Sequence, residues 1–346
     1  MKQKILYYIM EVIIMKKVRL VTHNSVFHCD EVMATAILKA IYPSPDVEII
    51  RTNNSKFYQQ DSNDDYYNII YDIGFGELDH HQKGGNGVRD NGVPYAAAGL
   101  VWKKYGNLAI KMIIINTMPD TIDIYSEEDI NSIWTNIDTA LIQGIDAVDN
   151  GYSAPVAMTS NNPESTTVKY FSISNIVSSL NTLAYDGGVT DNNKQYKNFM
   201  IAVDICSKTL ISMVRKFASV IYSNRELETL VKNREDKHIL ILEKYIPWIG
   251  YLTNPENEDC KDIWYVLFPS ARNNAEWNMQ AVPVATGTYE QRHSVPKSWW
   301  GGNKETLPKI TGVETASFCH QSNGFLTVAG NFEDIIKLAK IATTEE

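Results

Sequence analysis

The sequence predicts an α/β protein, with an N-terminal domain built on a parallel sheet with helices on both faces and a smaller α+β domain behind it. Three observations support this. Short apolar runs at residues 18–21, 46–52 (DVEIIRT) and 66–74 (YYNIIYDIG) have the composition of strands buried on both faces. Between the first two, Val32, Met33, Ala36, Ile37 and Ala40 recur at helical spacing, and a strand–helix–strand order implies a crossover and parallel pairing. After the charged run NREDK (residues 233–237) the pattern changes to short strands with turn residues between them.

In chain order, the first strand ends at His23, and the helix after it begins near Asp30 and is stopped by Pro43. The second strand leads into a polar stretch rich in Asn, Asp and Gln, and the third closes on Asp72. His23 and Asp72 therefore both fall at strand ends, and ligands of open parallel sheets bind beyond the carboxyl ends of the strands. Residues 95–105 and 131–144 read as helices. Residues 161–197 are polar and Asn-rich, with a helical patch at 176–183, and read as an insertion rather than core. Residues 200–221 form a long amphipathic helix through Val203, Cys206, Leu210, Val214, Phe217 and Ile221. DIWYVLFPS, WNMQAVPVA and GFLTVAG are strands of the second domain. The expected organisation is an accessory extension at residues 1–14, a first domain at 15–225 and a second at 226–346.

With 346 residues, 44% of them hydrophobic, the chain is long enough to bury a core in each domain. A net charge of −9 argues against a generally basic protein that coats nucleic acid, but leaves room for a local metal-lined cleft. Cys29, Cys206, Cys260 and Cys319 are far apart with no CxxC pair, which argues against a disulfide framework or zinc ribbon and for a reducing compartment. The start, MKQKILYYIMEVII, is too short to span a bilayer and lacks the Arg- and Ser-rich character of a transit peptide. An intracellular, cytoplasmic location with no membrane partner is the expectation.

Four clusters concentrate ligand-type side chains in the first domain: HNSVFHCD (His23, His28, Asp30), YDIG (Asp72), LDHHQKG (Asp79, His80, His81) and GIDAVDNG (Asp146, Asp149). Taken alone, each has an ordinary explanation. Asp30 can cap the helix that follows it, Asp72 and the Asp149-Asn150-Gly151 sequence can form turns, and His23 can be a core histidine. Together they are harder to dismiss, because four of only seven histidines gather near the strand ends. Imidazole plus carboxylate without paired thiolates suits Mn²⁺ or Mg²⁺ better than structural zinc. The supply is sufficient for two ions sharing one carboxylate, an arrangement that polarises a phosphoryl oxygen and holds a hydroxide nucleophile.

The order of these motifs resembles that of the DHH phosphoesterase superfamily. Their form, THNSVFHCDE, YDIG, LDHHQKG and DAVDNG, resembles the melanocyte proliferating gene family of DHH-type exonucleases. YVLFPS, WNMQAVPV, RHSVPKSWWG and FCHQSNGFLTVAG resemble that family's C-terminal domain, so the likeness covers residues 17–340. It implies a DHH-type first domain and metal-dependent hydrolysis of phosphodiester bonds, from the 3′ end of RNA, with two divalent ions, Mn²⁺ foremost and Mg²⁺ as the alternative. It implies that His23, His28 and Asp72 hold one ion, and that Asp30, Asp72, His80 and Asp149 hold the other, with Asp146 a rival to Asp149. His81 would face the scissile phosphate as an electrophile or general acid, and Asp79 would orient a histidine by accepting its free N–H. His28 departs from the superfamily, most of which has Asp there, and Cys29 is expected to be buried and turned away from the site.

In the second domain CHQSNGF resembles a substrate-recognition loop, which makes His320, Asn323 and Gly324 candidates for substrate contact. Arg272 and Arg292 are candidate phosphate clamps, with a solvated loop charge as the ordinary alternative. Trp277, Trp299 and Trp300 can stack on bases but read better as core. His238 and His293 stand outside any cluster. The expected substrate is single-stranded RNA or a short oligonucleotide. Two alternatives stay open: a DHH-type phosphatase or phosphodiesterase of short oligonucleotides or nucleotides, and a non-catalytic metal- or nucleotide-binding protein on the same fold. The oligomeric state is open, a homodimer included.

Overall fold

The computed structural model describes residues 17–42, 47–59, 65–152, 171–188, 192–273 and 275–344. The expected N-terminal extension lies outside them. The chain divides into two compact units, Met1–Ala218 and Ser219–Glu346, where the sequence suggested a division after residue 225.

In the first unit, β1 (Lys17–Thr22), β2 (Val47–Arg51) and β3 (Tyr66–Ile70) form a parallel sheet in the order β2-β1-β3. The chain leaves β1 to one side for β2 and crosses back to the other for β3. That reversal opens a crevice beyond the carboxyl ends of β1 and β3. Leu20 and Val21 of β1 are fully buried beneath α1 (Cys29–Ile41), which itself buries Val32 through Leu38 without a solvent face. β3 is shorter than the apolar run suggested because the chain turns out of the sheet at once. Asp72, Gly74 and Phe75 all take left-handed backbone angles, with φ of 55°, 85° and 56°.

The helix α2 (Ala97–Thr117) packs against α1 and extends well beyond residue 105. Its mid-helix Gly106 is unfavourable by propensity, but a Cβ there would stand 2.6 Å from the indole of Trp134. The glycine makes room for Trp134 beside Trp102, stacked with centroids 6.2 Å apart. A single helix was expected at 131–144. Instead α3 (Glu127–Ile137) passes through one π-helical turn (Asp138–Ile142) into α4 (Gln143–Asp149). Such turns often mark functional positions, and this one separates the helix that packs from the helix that carries Asp146 and Asp149.

The described part of 161–197 holds α5 (Ile173–Ser179) and the start of α6 (Asn192–Lys232), within which the two units divide. Asn181 accepts the N–H of Phe27 at 2.9 Å and donates to its carbonyl at 2.8 Å, and Gln195 donates to the Ser25 carbonyl at 2.9 Å. The segment therefore clamps the turn between β1 and α1. Apart from the buried Val177, its ties to that turn run through amide side chains, which a hydrophobicity pattern does not mark as core.

The second unit has β4 (Ile239–Ile241), β5 (Tyr265–Pro269), β6 (Trp277–Ala281), β7 (Ala316–Cys319) and β8 (Leu326–Ala329), in the order β4-β5-β6-β8-β7. β4 and β5 are parallel and the remaining pairs antiparallel. Successive side chains of a strand point to opposite faces. On β5, Tyr265 and Leu267 join a core with Met279, Trp299 and Leu338, while Val266 and Phe268 join another with Leu227, Trp248 and Val282. The short helices α7 (Ile249–Leu252) and α8 (Leu307–Thr311) and the longer α9 (Phe332–Thr344) complete it. Among the described residues, no helix is long and apolar enough to cross a membrane.

Candidate metal centre

Two strand ends and two helix ends converge on one cleft of about 480 Å³. His23, at the end of β1, stands behind Asp72 outside the cleft lining, while the start of α1 delivers His28 and Asp30 and the turn after β3 delivers Asp72. The following loop delivers His80 and His81, and the last residue of α4 delivers Asp149. Ser174, Asn175 and Ser178 of α5 form a further wall.

Asp72 is buried at the centre, with its two oxygens facing different histidines. Oδ2 lies 3.2 Å from His23 Nε2, and Oδ1 lies 3.4 Å from His80 Nε2. His80 Nε2 is also 3.1 Å from Asp149 Oδ2 and 3.8 Å from Asp30 Oδ2. Yet at these distances neither Asp72 Oδ1 nor His80 Nε2 makes a well-aligned hydrogen bond among the described residues, although both are buried. Buried polar atoms left in this way are costly and need an explanation. A cation between them supplies one.

The same conclusion comes from His23. Its Nδ1 lies 2.9 Å from the Asn24 carbonyl, which accepts a proton and so leaves Nε2 as the lone-pair nitrogen of a neutral ring. That nitrogen meets Asp72 Oδ2 and Glu31 Oε1, each at 3.2 Å. Three acceptors converge, so either a proton or a metal ion must stand among them. Burial by itself would lower the His23 imidazole, but Asp72 and Glu31 hold it protonated, at about 11. His80 likewise rises to about 11 against burial, through Asp149 and Asp72. Burial alone would raise Asp72, which His23 and His80 hold at about 2. Burial and the neighbouring Asp72, Asp149 and Asp146 push Asp30 well above the usual carboxylate range. In the metal-free protein protons on His23 and His80 offset the carboxylates, and a divalent ion that displaces them fits the same donors.

Glu31 is the residue that sequence reasoning missed. Fully buried, it accepts the His28 N–H at 2.9 Å and stands behind His23. The signal was available: a glutamate in a helix with no solvated face must have a buried partner. His28 is the most exposed of the candidate ligands, its side chain 59% accessible and its Nδ1 4.0 Å from Asp149 Oδ1.

The two readings of Asp30 merge. It does cap a helix, but not its own: Oδ1 and Oδ2 accept the N–H groups of Ala98 and Ala97 at 2.6 and 3.0 Å, at the start of α2. Asp149 and Asp146 separate cleanly. Asp146 turns inward, where it accepts the Gly99 N–H at 2.9 Å and pairs with Arg89 Nη1 at 2.7 Å. Arg89 also grips Asp138 through Nε and Nη2 at 3.0 and 2.8 Å. Asp146 thus belongs to a buried ion network, and the geometry favours Asp149 at the cleft. Replacing Arg89 by Ala strands two buried carboxylates, so the Arg89→Ala variant should lose about 3–5 kcal/mol of stability. A urea midpoint unchanged from wild type would contradict this reading.

His81 is held differently from His80. Its side chain is half-exposed, and its Nδ1 lies 2.7 Å from Asp79 Oδ1. Asp79 is buried and also accepts the backbone N–H groups of His81 (3.0 Å) and Phe75 (2.7 Å). A carboxylate fixed by main-chain donors orients the ring and leaves Nε2 free to act. Cys29 is buried as expected, but it borders the cleft rather than turning away from it. All four cysteines are free and buried.

In the second unit, Arg272 and His320 line one open depression of about 710 Å³, together with Lys304 and the exposed Phe318. His320 and Asn323 hydrogen-bond each other at 3.0 Å. Gly324 is there for steric reasons, with φ 61° and Trp300 Nε1 2.5 Å from where a Cβ would be. The Arg292 expectation is corrected. Its guanidinium donates to the main-chain carbonyls of Cys260, Ile263 (3.1 Å) and Leu252, so it ties loops together and has no fork to offer a phosphate. Trp299 is buried, Trp300 donates to the Val295 carbonyl at 3.2 Å, and Trp277 packs on Phe332, so all three are packing residues. His238 and His293, given no role, stack on the ring of Trp264, with centroids 3.6 and 4.3 Å away.

The family model MYG1_exonuc, described as Uncharacterised protein family (UPF0160), matches residues 19–343. The chain belongs to the MYG1 exonuclease family. The MYG1 protein of Dictyostelium discoideum is 27% identical over 322 residues, covering 90% of this chain and 92% of its own. That of Caenorhabditis elegans is 28% identical, covering 93% and 94%, and the human MYG1 exonuclease is 24% identical, covering 93% and 85%. Membership makes the chain a hydrolase acting on phosphoester bonds. Among solved structures, it is similar to PggH, a pGpG-specific phosphodiesterase from Vibrio cholerae, at 13% identity and TM-score 0.28, covering 95% of this chain and 98% of that one. RecJ from Thermus thermophilus in complex with Mn²⁺ is similar at 10% identity and TM-score 0.25, covering 99% and 55%. Neither likeness is close enough to transfer a residue or a substrate.

Proposed function

We propose that this MYG1-family protein is a two-metal phosphodiesterase that removes nucleotides from the 3′ end of single-stranded RNA, with Mn²⁺ as the favoured ion and Mg²⁺ as the alternative. The observation that carries the reading is the split of Asp72, one oxygen toward His23 and the other toward His80. This supports a bridging carboxylate, with His23, His28 and Glu31 on one side and Asp30, His80 and Asp149 on the other; these two sets, and a third of Asp72, His80 and His81, each bring their ligand atoms within 4.8 Å of one another. Bound divalent ions would polarise a phosphoryl oxygen and lower the pKa of a water molecule. The chain's own residues do the rest. His81, oriented by Asp79, would donate a hydrogen bond to the scissile phosphate or a proton to the 3′ oxygen that leaves it. Arg272 and His320 offer a cation and a donor to substrate in their own depression. RNA as substrate and the 3′ direction rest on the family. The acidic net charge of −9 favours short substrates over long polymers that a basic groove would track.

The direct test is 5′-labelled single-stranded RNA with Mn²⁺, beside an EDTA control. A ladder that shortens from the 3′ end, absent with EDTA, is the expected result; shortening of none of the RNA under Mn²⁺ or Mg²⁺ would overturn it.

Metal binding must also displace protons from His23 and His80, so affinity should rise with pH. The sign for stability follows from the same shifts. A histidine whose folded pKa is raised stabilises the metal-free protein fully below about 6.5, and that contribution fades as pH climbs toward the folded value. EDTA-treated protein should therefore melt lower at pH 8.5 than at pH 6.5, while the increment due to Mg²⁺ grows. An increment that shrinks with pH would contradict the assignment of these two ligands.

A further inference from the structure

The loop joining Asp72 to Asp79 carries an aromatic side chain that the fold does not need. Phe75 lies between Gly74 and Gly76, and its side chain is left in solvent, the residue 71% exposed. Its backbone takes φ 56°, a conformation that glycine adopts freely and a bulky residue does not. By local preference this position should be a third glycine.

The loop is nevertheless held firmly. The Asp72 N–H donates to the Leu78 carbonyl at 3.0 Å, and the Asp79 N–H to the Gly76 carbonyl at 3.2 Å. Gly74 lies against the ring of Tyr58, which a Cβ would meet at 3.4 Å. The Phe75 N–H donates to Asp79 Oδ2 at 2.7 Å, while Oδ1 of the same carboxylate receives His81 Nδ1 at 2.7 Å. One buried carboxylate thus holds both the main chain at Phe75 and the ring of the half-exposed His81. A strained residue with an unpacked side chain, tied to the group that faces the scissile phosphate, has the form of a ligand contact.

We propose that Phe75 is the platform on which the nucleobase beside the scissile phosphate stacks, and so the residue that selects nucleotides over simple phosphoesters. The inference rests on the phosphodiesterase reading of the cleft. Charge supports it: an acidic chain gains little from phosphate tracking, whereas stacking on an aromatic face is independent of charge and tolerant of sequence. The glycines on either side place no side chain of their own beside the ring, and the residue is left 71% exposed.

The test compares oligonucleotides with a base or an abasic residue at the 3′ terminus, on wild type, Phe75→Ala, Phe75→Leu and Phe75→Trp. Wild type should show a KM about tenfold lower for the base-bearing substrate, in the range of one stacked base. Phe75→Ala and Phe75→Leu should bring that ratio close to one, and Phe75→Trp should restore it. A spectroscopic arm avoids turnover: in a His81→Ala background, terminal 2-aminopurine should be quenched on binding and should lose that quenching with Phe75→Ala. Backbone strain gives an independent sign, because Phe75→Gly should raise the melting temperature while losing the base preference. The proposal is overturned if Phe75→Ala keeps the base-to-abasic ratio, if Phe75→Leu serves as well as Phe75→Trp, or if Phe75→Ala only dissociates an oligomer. Hydrolysis of neither oligonucleotide by wild type would sink the phosphodiesterase reading itself, and this inference with it.

Discussion

Asp72→Asn should lower hydrolysis by about a thousandfold or more while leaving the fold intact. Asparagine is the informative replacement, because it keeps the side-chain shape and tolerates the left-handed backbone at φ 55°, which alanine would strain. The substitution removes the one charge that faces both His23 and His80. In EDTA the variant should melt within a few degrees of wild type, since relief of repulsion with Asp30 offsets the lost contacts to the two histidines. The large difference should appear with metal. An ion at a hundredfold excess over its Kd stabilises by about 2.7 kcal/mol, which is roughly 5–11 °C for a unit of this size. Wild type should show that shift and Asp72→Asn should lose most of it. Full retention of the shift would mean that Asp72 is not a ligand.

His81→Ala should separate chemistry from metal binding. A positioned proton donor contributes about 10²–10⁴ in rate, so kcat should fall in that range while the metal-induced shift in melting temperature stays. Asp79→Asn tests the same dyad from behind. An amide can still accept the Phe75 N–H, but where it turns its NH₂ toward Nδ1 it no longer accepts the ring proton, so the variant should lose rate with unchanged metal stabilisation. His81 Nδ1 also lies 3.6 Å from Asp72 Oδ1, so a ligand role has a structural basis too. If His81→Ala removed the metal-induced shift along with the rate, His81 would be a ligand and the proton-donor role would fall.

The strand ends were legible because period and composition report them directly. Val18–Val21 and the YYNII run are apolar enough to be strands in any context, and His23 and Asp72 stand where such strands stop. That these residues share one site was what the family resemblance implied, and no local pattern shows it. What the sequence concealed is instructive. Asp30 was read as a local cap, but its carboxylate reaches the start of a helix 67 residues away, which no local pattern encodes. Asn181 and Gln195 brace the β1–α1 turn through amides, and hydrophobicity does not register such contacts. Arg292 looked like a phosphate clamp because a sequence shows the fork and not the three carbonyls that fill it. Asp146 and Asp149 differ by less than one helical turn, and only the position of Arg89 separates them. β7 has no alternation to reveal it. α9 did have a signal that went unread: Asn331 caps it, accepting the Asp334 N–H at 2.8 Å, with Glu333 and Asp334 in the first turn.

The central claim is that one carboxylate, Asp72, joins two ions in the crevice between β1 and β3. Electron paramagnetic resonance during a Mn²⁺ titration of the purified chain tests it most directly. Two ions per chain with an exchange-coupled spectrum, replaced in Asp72→Asn by at most one isolated six-line ion, is the predicted result. A wild-type spectrum of a single isolated ion at saturation would contradict the shared centre.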